Sequence, residues 1–188
     1  MNYQYLVCAY DITDSARRRR LRTLLLPWRV DGQLSVHELL IDHAHYNQLL
    51  KSIKPVLDYQ NDSLLICHLS LQGLGAVYQP IAKQTEKLLF NSHISQSMPV
   101  KMRDGVFVLS YDIADIKRLN KVYKLVIRYM IQLQRSVYLY QGAGQRIQEL
   151  IDQLIQVAVA GEDDVRLYLL PDAEALQFVA EPVPISVF

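Results

Sequence analysis

The sequence holds no apolar run approaching the roughly 18 residues that a membrane-crossing helix requires, so no membrane span and no membrane partner is expected. Met1-Asn2-Tyr3-Gln4 carries none of the basic residues that open a secretory leader, and a cytoplasmic location is expected. Cysteine is scarce: Cys8 and Cys67 are the two in 188 residues. That excludes a disulfide-knit scaffold, and since both lie inside apolar runs they are expected as buried, reduced thiols. Metal-ligand clusters are missing as well. His43-x-His45 has no Cys or carboxylate cluster to complete a zinc set, and reads as the polar start of a helix. Neither charge sign prevails, with 20 Lys and Arg against 19 Asp and Glu, so an electrostatic partner must be read from where the charges stand.

What the sequence does have is a second copy of itself. Tyr10-Asp11-Ile12 recurs as Tyr111-Asp112-Ile113, Gln33-x-Ser35-Val36 as Gln134-x-Ser136-Val137, and Asp62 as Asp163, each time 101 positions on. A constant offset over some fifty residues means two copies of one supersecondary unit. The chain then divides into a first unit at 1–72, a linker at 73–104, a second unit at 105–171 and a tail at 172–188. Units this small lie near the lower limit for an independent core, so each is expected to lean on the other.

Both copies read in the same order. Tyr5 to Ile12 and Val106 to Ile113 are apolar, β-rich runs, and Asp14 and Asp115 stand where helix N-caps belong. Leu21, Leu24 and Leu25, matched by Val122, Leu125 and Val126, then recur at helical spacing. Two extended segments follow, Arg29 to Gln33 and Ser35 to Ile41, with Tyr129 to Gln134 and Ser136 to Gln141 in the second copy. Second helices are expected over 43–57 and 145–159, the latter with an apolar face of Ile147, Leu150, Ile151 and Leu154. Strands at 63–69 and 164–170 close the two units. The order βαββαβ predicts an α+β protein of two tandem ferredoxin-like units.

The first strands add a constraint. A sheet with one wet face alternates polar and apolar residues, but Leu6-Val7-Cys8-Ala9 and Phe107-Val108-Leu109 do not. Both faces of each sheet are therefore expected to be buried, the two units packing sheet to sheet as an intramolecular pseudo-dimer about a pseudo-two-fold axis. Such a chain needs no second copy to be complete. A docking helix is expected at 81–90 in the linker, and the tail reads as short edge strands at 177–180 and 184–187, suited to extending another sheet.

A strand ending in Tyr-Asp-Ile, a helix opening with arginines (Arg17 to Arg20; Arg118), a Gln-x-Ser-Val strand and an Asp-led closing strand, found twice, resemble the CRISPR-associated Cas2 family. The resemblance implies a ferredoxin-like pair packed sheet to sheet, with the first-strand carboxylates Asp11 and Asp112 approaching across the axis, where a divalent metal is assigned; Mg²⁺, which takes one or two carboxylates and keeps several waters, suits such a pair. It also implies a spacer-acquisition adaptor that bridges Cas1 integrase subunits and carries prespacer duplex DNA on its basic surface. A metal-dependent endonuclease acting on RNA or DNA through Asp11 and Asp112 is the alternative it implies.

The residues themselves leave several readings open. Asp11 and Asp112 follow strands and precede helices, so each is either a loop carboxylate or half of a metal-binding pair. Arg17 and Arg118 are the only basic residues identical in both first helices; each either holds one of those carboxylates or contacts a phosphate. The wider basic set is Arg17, Arg18, Arg19, Arg20 and Arg22 in the first copy and Lys117, Arg118, Lys121, Lys124 and Arg128 in the second. Charge runs are usually solvated helix faces, but two related by a pseudo-two-fold suit a duplex backbone laid across the molecule. The copies also differ: Glu38 in the first stands where Leu139 stands in the second.

Overall fold

The computed structural model describes residues 3–69 and 102–180; the helix expected at 81–90 and the strand expected at 184–187 lie outside the described residues. The first unit runs β1 (Tyr3–Asp11), α1 (Ser15–Leu25), β2 (Arg29–Gly32), β3 (Val36–Asp42), α2 (His43–Ile53) and β4 (Ser63–Leu69). The second repeats it as β5 (Gly105–Asp112), α3 (Ile116–Val126), β6 (Ile131–Gln134), β7 (Val137–Gly142), α4 (Gly144–Ile155) and β8 (Asp164–Leu170), and then adds β9 (Leu176–Ala180).

Local chemistry sets the boundaries. The Asp14 carboxylate accepts the Arg17 amide, and Asp115 accepts those of Lys117 and Arg118, so both expected N-caps are in place. Asp42 caps α2 through the Ala44 and His45 amides and lies 2.6 Å from His45 Nδ1, which makes His43-x-His45 the polar helix start expected of it. Ala143 cannot cap α4, and Asp104 does so instead, accepting the Gly144 amide at 2.9 Å. Both second helices are shorter than their sequence patterns. Pro55 tightens the end of α2 into a single 3₁₀ turn at Lys54–Val56, and after Ile155 the Val157 and Ala158 amides fold back onto the Leu154 carbonyl. Gly32, at φ 138°, is required by the β2–β3 turn, where a Cβ would meet the Val36 carbonyl oxygen at 2.2 Å.

The strands form two antiparallel sheets, β2-β3-β1-β4-β9 and β6-β7-β5-β8. One face of the first sheet, with Leu6, Cys8 and Tyr10 from β1 and Ile12 just after it, packs on Leu21 and Leu25 of α1 and on Tyr46, Leu49 and Ile53 of α2. The second sheet does the same with Phe107, Leu109, Tyr111 and Ile113 against α3 and α4. The opposite faces meet each other: Tyr5, Val7, Ala9, Leu65 and Cys67 share a core with Val106, Val108, Val137, Tyr168 and Leu170. Two ferredoxin-like units thus lie sheet to sheet between outer helices, which is why the first strands do not alternate. Cys8 and Cys67 are buried free thiols on opposite faces of the first sheet, and burial raises both above the ordinary thiol range.

The symmetry breaks at β9. This strand leaves the second unit and pairs antiparallel with β4, giving the first sheet a fifth strand and tying the end of the second unit to the first.

Candidate functional site

β1 and β5 are the central strands, each flanked by the third and fourth strands of its own unit. Side chains alternate along a strand, and Tyr5, Val7 and Ala9 of β1 and Val106 and Val108 of β5 line the sheet-to-sheet interface. Asp11 and Asp112 continue those two series, so both carboxylates emerge at the strand ends on the interface side.

Their surroundings differ. The Arg135 guanidinium, from the β6–β7 turn of the second unit, stands 3.4 Å from the Asp11 carboxylate. The position matching Arg135 in the first copy is Leu34, which is exposed, and among the described residues no side chain pairs with Asp112. Two carboxylates, one of them engaged by a guanidinium, are a thin donor set for Mg²⁺, which prefers six oxygens in octahedral array. Among the described residues no three metal-ligating side chains converge. The residues present fit a protein-held Mg²⁺ site poorly.

Arg17 and Arg118 are held elsewhere than beside the first-strand carboxylates. Arg17 makes a fork to Asp62, Nε to Oδ2 at 2.7 Å and an Nη to Oδ1 at 3.1 Å. Arg118 repeats it on Asp163 at 2.7 and 3.0 Å and adds Glu162 at 2.6 Å. The register explains the choice, since Asp11 pairs with Ser63 and Asp112 with Asp164, which brings the residue before β4 or β8 against the first helix. Asp62 and Asp163 are buried; each also accepts the backbone amide four residues before it, and Asp163 accepts that of Ala114. Burial opposes ionisation of Asp163, but Arg118 and the two amides outweigh it and hold the carboxyl below the usual range. The repetition of Asp62 as Asp163 was the sequence signal for this clamp.

The other basic residues face outward. Arg18, Arg19, Arg20 and Arg22 on α1 and Lys117, Lys121, Lys124 and Arg128 on and after α3 are exposed, Arg18 also donating to the Ile12 carbonyl at 3.0 Å. Of these, Arg20 and Lys121 alone occupy matching positions (121 − 20 = 101).

The shared Gln-x-Ser-Val segments reach across the interface. Gln134 Nε2 donates to the Ala9 carbonyl at 3.2 Å and to Ser63 Oγ at 2.9 Å, and Gln33 Nε2 donates to the Asp164 carbonyl at 3.0 Å. Ser35 and Ser136 offer their carbonyls to the amides of Tyr10 and Tyr111. The glutamines stitch each copy to the other, while the serine carbonyls hold each segment to the first strand of its own copy.

A charged cluster that sequence reasoning missed lies inside the same interface. Arg166 of β8 is 8% exposed and Glu38 of β3 is 5% exposed, yet their charged groups meet at 2.6 Å. Tyr5 and Tyr168 both donate hydroxyl hydrogens to Glu38, the latter at 2.9 Å, and Arg166 is further flanked by Asp164 at 2.9 Å and Asp31 at 3.2 Å. Burial and the Glu38 charge push both tyrosines above the ordinary phenol range. An arginine inside an apolar strand was the visible signal; its partner, 128 positions away, was not.

The family model and the named relatives agree on one family. The family model described as "CRISPR associated protein Cas2" matches twice, over residues 4–75 and 106–177. A CRISPR-associated endoribonuclease Cas2 of Nitrosomonas europaea is 35% identical over 65 residues, 35% of this chain and 62% of that protein. A protein of the same name from Allochromatium vinosum is 40% identical over 65 residues, 35% of this chain and 69% of its own. The aligned region thus spans less than two thirds of the Nitrosomonas protein. Among solved structures, a hypothetical protein from Thermus thermophilus matches 46% of this chain and 98% of its own at 28% identity, with a TM-score of 0.37.

Proposed function

The chain belongs to the CRISPR-associated Cas2 family, with two of the family's domains in one polypeptide, and we propose that it serves as a spacer-acquisition adaptor. In this reading it bridges Cas1 integrase subunits and holds prespacer duplex DNA on its basic first helices. The observation that carries the proposal is the pair of outward-facing cationic helices, α1 and α3, on equivalent outer layers of two units that share a core. Arg17 and Arg118 serve as the struts that hold these helices to Asp62 and Asp163. The exposed residues Arg18, Arg19, Arg20, Arg22, Lys117, Lys121 and Lys124 meet phosphates. Backbone contacts of this kind position a duplex without reading its bases, as suits an adaptor that must accept any sequence. If about six engage, affinity falls roughly a thousandfold between ~50 and ~200 mM salt.

The matched pair Arg20 and Lys121 is the sharpest place to test this. Arg20→Ala/Lys121→Ala is expected to weaken duplex binding and flatten its salt dependence by about two ions. An unchanged slope would remove the basic helices from the interface.

A second reading, a metal-dependent endonuclease, is favoured by one observation: Asp11 and Asp112 end equivalent central strands on the interface side. The names of the relatives also carry a nuclease activity, that of an endoribonuclease. The two readings separate when the purified chain is mixed with Cas1 and a prespacer duplex, with and without EDTA, and compared with Asp11→Ala/Asp112→Ala. Complex formation and strand insertion that survive the double substitution support the adaptor. Cleavage by this chain alone that needs a divalent cation and is lost in the variant supports the nuclease.

A further inference from the structure

Two units folded alike, with alike inner faces, have more than one way to pair. The first unit of one chain can meet the second unit of the same chain, or the first unit of another, with the second units then pairing in turn. The buried cluster bears on that choice, because it occupies one of two equivalent places in the interface. The residues matching Glu38, Tyr5, Arg166 and Tyr168 are Leu139, Val106, Leu65 and Cys67, each 101 positions away. These four pack together in the same shared core without a charged group among them.

We infer that the interface carries a one-way charge code: the Glu38 face of the first unit accepts the Arg166 face of the second and refuses a second copy of itself. Pairing two first units sets each Glu38 against Leu65 and Cys67, so that the carboxylate keeps its own Tyr5 and loses both Arg166 and Tyr168. That leaves two buried carboxylates without a cation in every such pair, an arrangement that strongly disfavours association. Pairing two second units sets each Arg166 against Leu139. The guanidinium keeps its own Asp164 but loses Glu38 and Asp31, a smaller penalty of the same sign. Like-with-like pairing is therefore refused most firmly by the first unit, which takes a second unit as its partner, and the covalent tie favours the second unit of the same chain. A Cas2-like single unit offering an apolar residue at the Arg166 position is refused by the same face. The inference concerns pairing alone and stands whether or not the chain binds DNA.

The test cuts the folded full chain at a protease site inserted between residues 73 and 101, so that the units stay associated without a covalent tie. Isotopically labelled and unlabelled preparations are mixed in sub-denaturing urea until labels exchange, and the pairs are weighed by native mass spectrometry. Wild type is expected to give only pairs of one first and one second unit, whatever their labels. Glu38→Leu/Arg166→Leu, which makes both places apolar, is expected to raise like-with-like pairs from a trace to a share comparable with the mixed pairs. Glu38→Gln/Arg166→Met, which removes both charges at nearly constant volume, is expected to do the same if the leucine variant does not fold. Like-with-like pairs from wild type would overturn the inference. So would mixed pairs alone from the neutral variants, an outcome that assigns the selection to β9 crossing onto β4.

Discussion

One half of the sheet-to-sheet interface solves its packing with a salt-bridged cluster of Glu38, Arg166, Tyr5 and Tyr168, and the half related to it by the repeat does so with Leu139, Leu65, Val106 and Cys67. The strands are equivalent in both places, except that β4 beside Leu65 and Cys67 carries β9 while β8 is the edge of its sheet. The comparison shows that the fold does not demand the charges, since the apolar arrangement is equally accommodated by equivalent strands. A buried ion pair of this kind gives little net stability over well-packed apolar groups, because desolvation consumes most of the Coulombic gain. What the charged half adds is a difference between two units that would otherwise be interchangeable.

The sharpest way to break the comparison is to remove one partner. Glu38→Leu leaves the buried Arg166 with Asp164 and Asp31 alone, and Arg166→Leu leaves Glu38 among tyrosine hydroxyls. Each single change is expected to destabilise by ~3–5 kcal/mol in urea unfolding. The double change, which copies the apolar half, is expected to recover most of that loss. Additive losses would mean the two side chains are not coupled.

A second difference between the copies lies on the helix-facing side. His37 is fully buried with its Nε2 3.2 Å from the Tyr10 hydroxyl, where the second copy has Tyr138 sharing a 2.8 Å hydrogen bond with Tyr111. Burial, helped by the nearby charges of Arg29 and Arg22, pulls His37 down to about 4. The unfolded chain binds the imidazole proton from about pH 6.5, whereas the native chain does not until about pH 4. Stability contributed by neutral His37 is therefore complete above about pH 6.5 and is lost as pH falls toward 4, by up to about 3 kcal/mol. His37→Tyr, which makes the first copy resemble the second, is expected to flatten stability across that window. His68, also lowered by burial, accounts for a residual slope. A slope unchanged by the substitution would show that His37 is not the titrating group.

How much of this was legible beforehand follows from range. Element order, the N-caps at Asp14 and Asp115 and the face-to-face packing depend on local periodicity and on the repeat, and both are written along the chain. The Arg17–Asp62 and Arg118–Asp163 clamps were half written: the residues recur, but the pairing needs the β1–β4 register. The Glu38–Arg166 contact depends on how two sheets are rotated against each other, and no local pattern encodes that. The destination of β9 was hidden for another reason. The outer edges of β4 and β8 are equivalent in sequence pattern, so composition marked an edge strand without saying whose edge it joins.

The clamps sharpen the comparison from the side of what the copies share. Asp163→Ala removes two amide contacts and the Arg118 fork, and is expected to cost about 2 kcal/mol; Asp62→Ala, which forfeits one amide contact, is expected to cost less. Because the Asp163 carboxyl is held below its usual range, its contribution is present above about pH 4 and disappears as pH falls through the native value. Acid unfolding of Asp163→Asn is the check: if the variant loses stability on acidification as steeply as wild type, that titration belongs elsewhere.

The smallest expected effect bears most directly on the carboxylates. Arg135 is 79% exposed and its contact with Asp11 is 3.4 Å, so Arg135→Leu, which writes Leu34 of the first copy into the second, is expected to change stability by less than about 1 kcal/mol. Its consequence is electrostatic. With the guanidinium gone, the Asp11 end takes on the character of the Asp112 end, a carboxylate with no cation beside it among the described residues. Mn²⁺ binding followed by electron paramagnetic resonance is then expected to strengthen in Arg135→Leu and to vanish in Arg135→Leu/Asp11→Ala/Asp112→Ala. Measurable Mn²⁺ binding of equal strength in wild type and Arg135→Leu, lost in Asp11→Ala/Asp112→Ala, would show that the guanidinium does not compete for the Asp11 carboxylate, and would return weight to the metal-dependent reading of the pair.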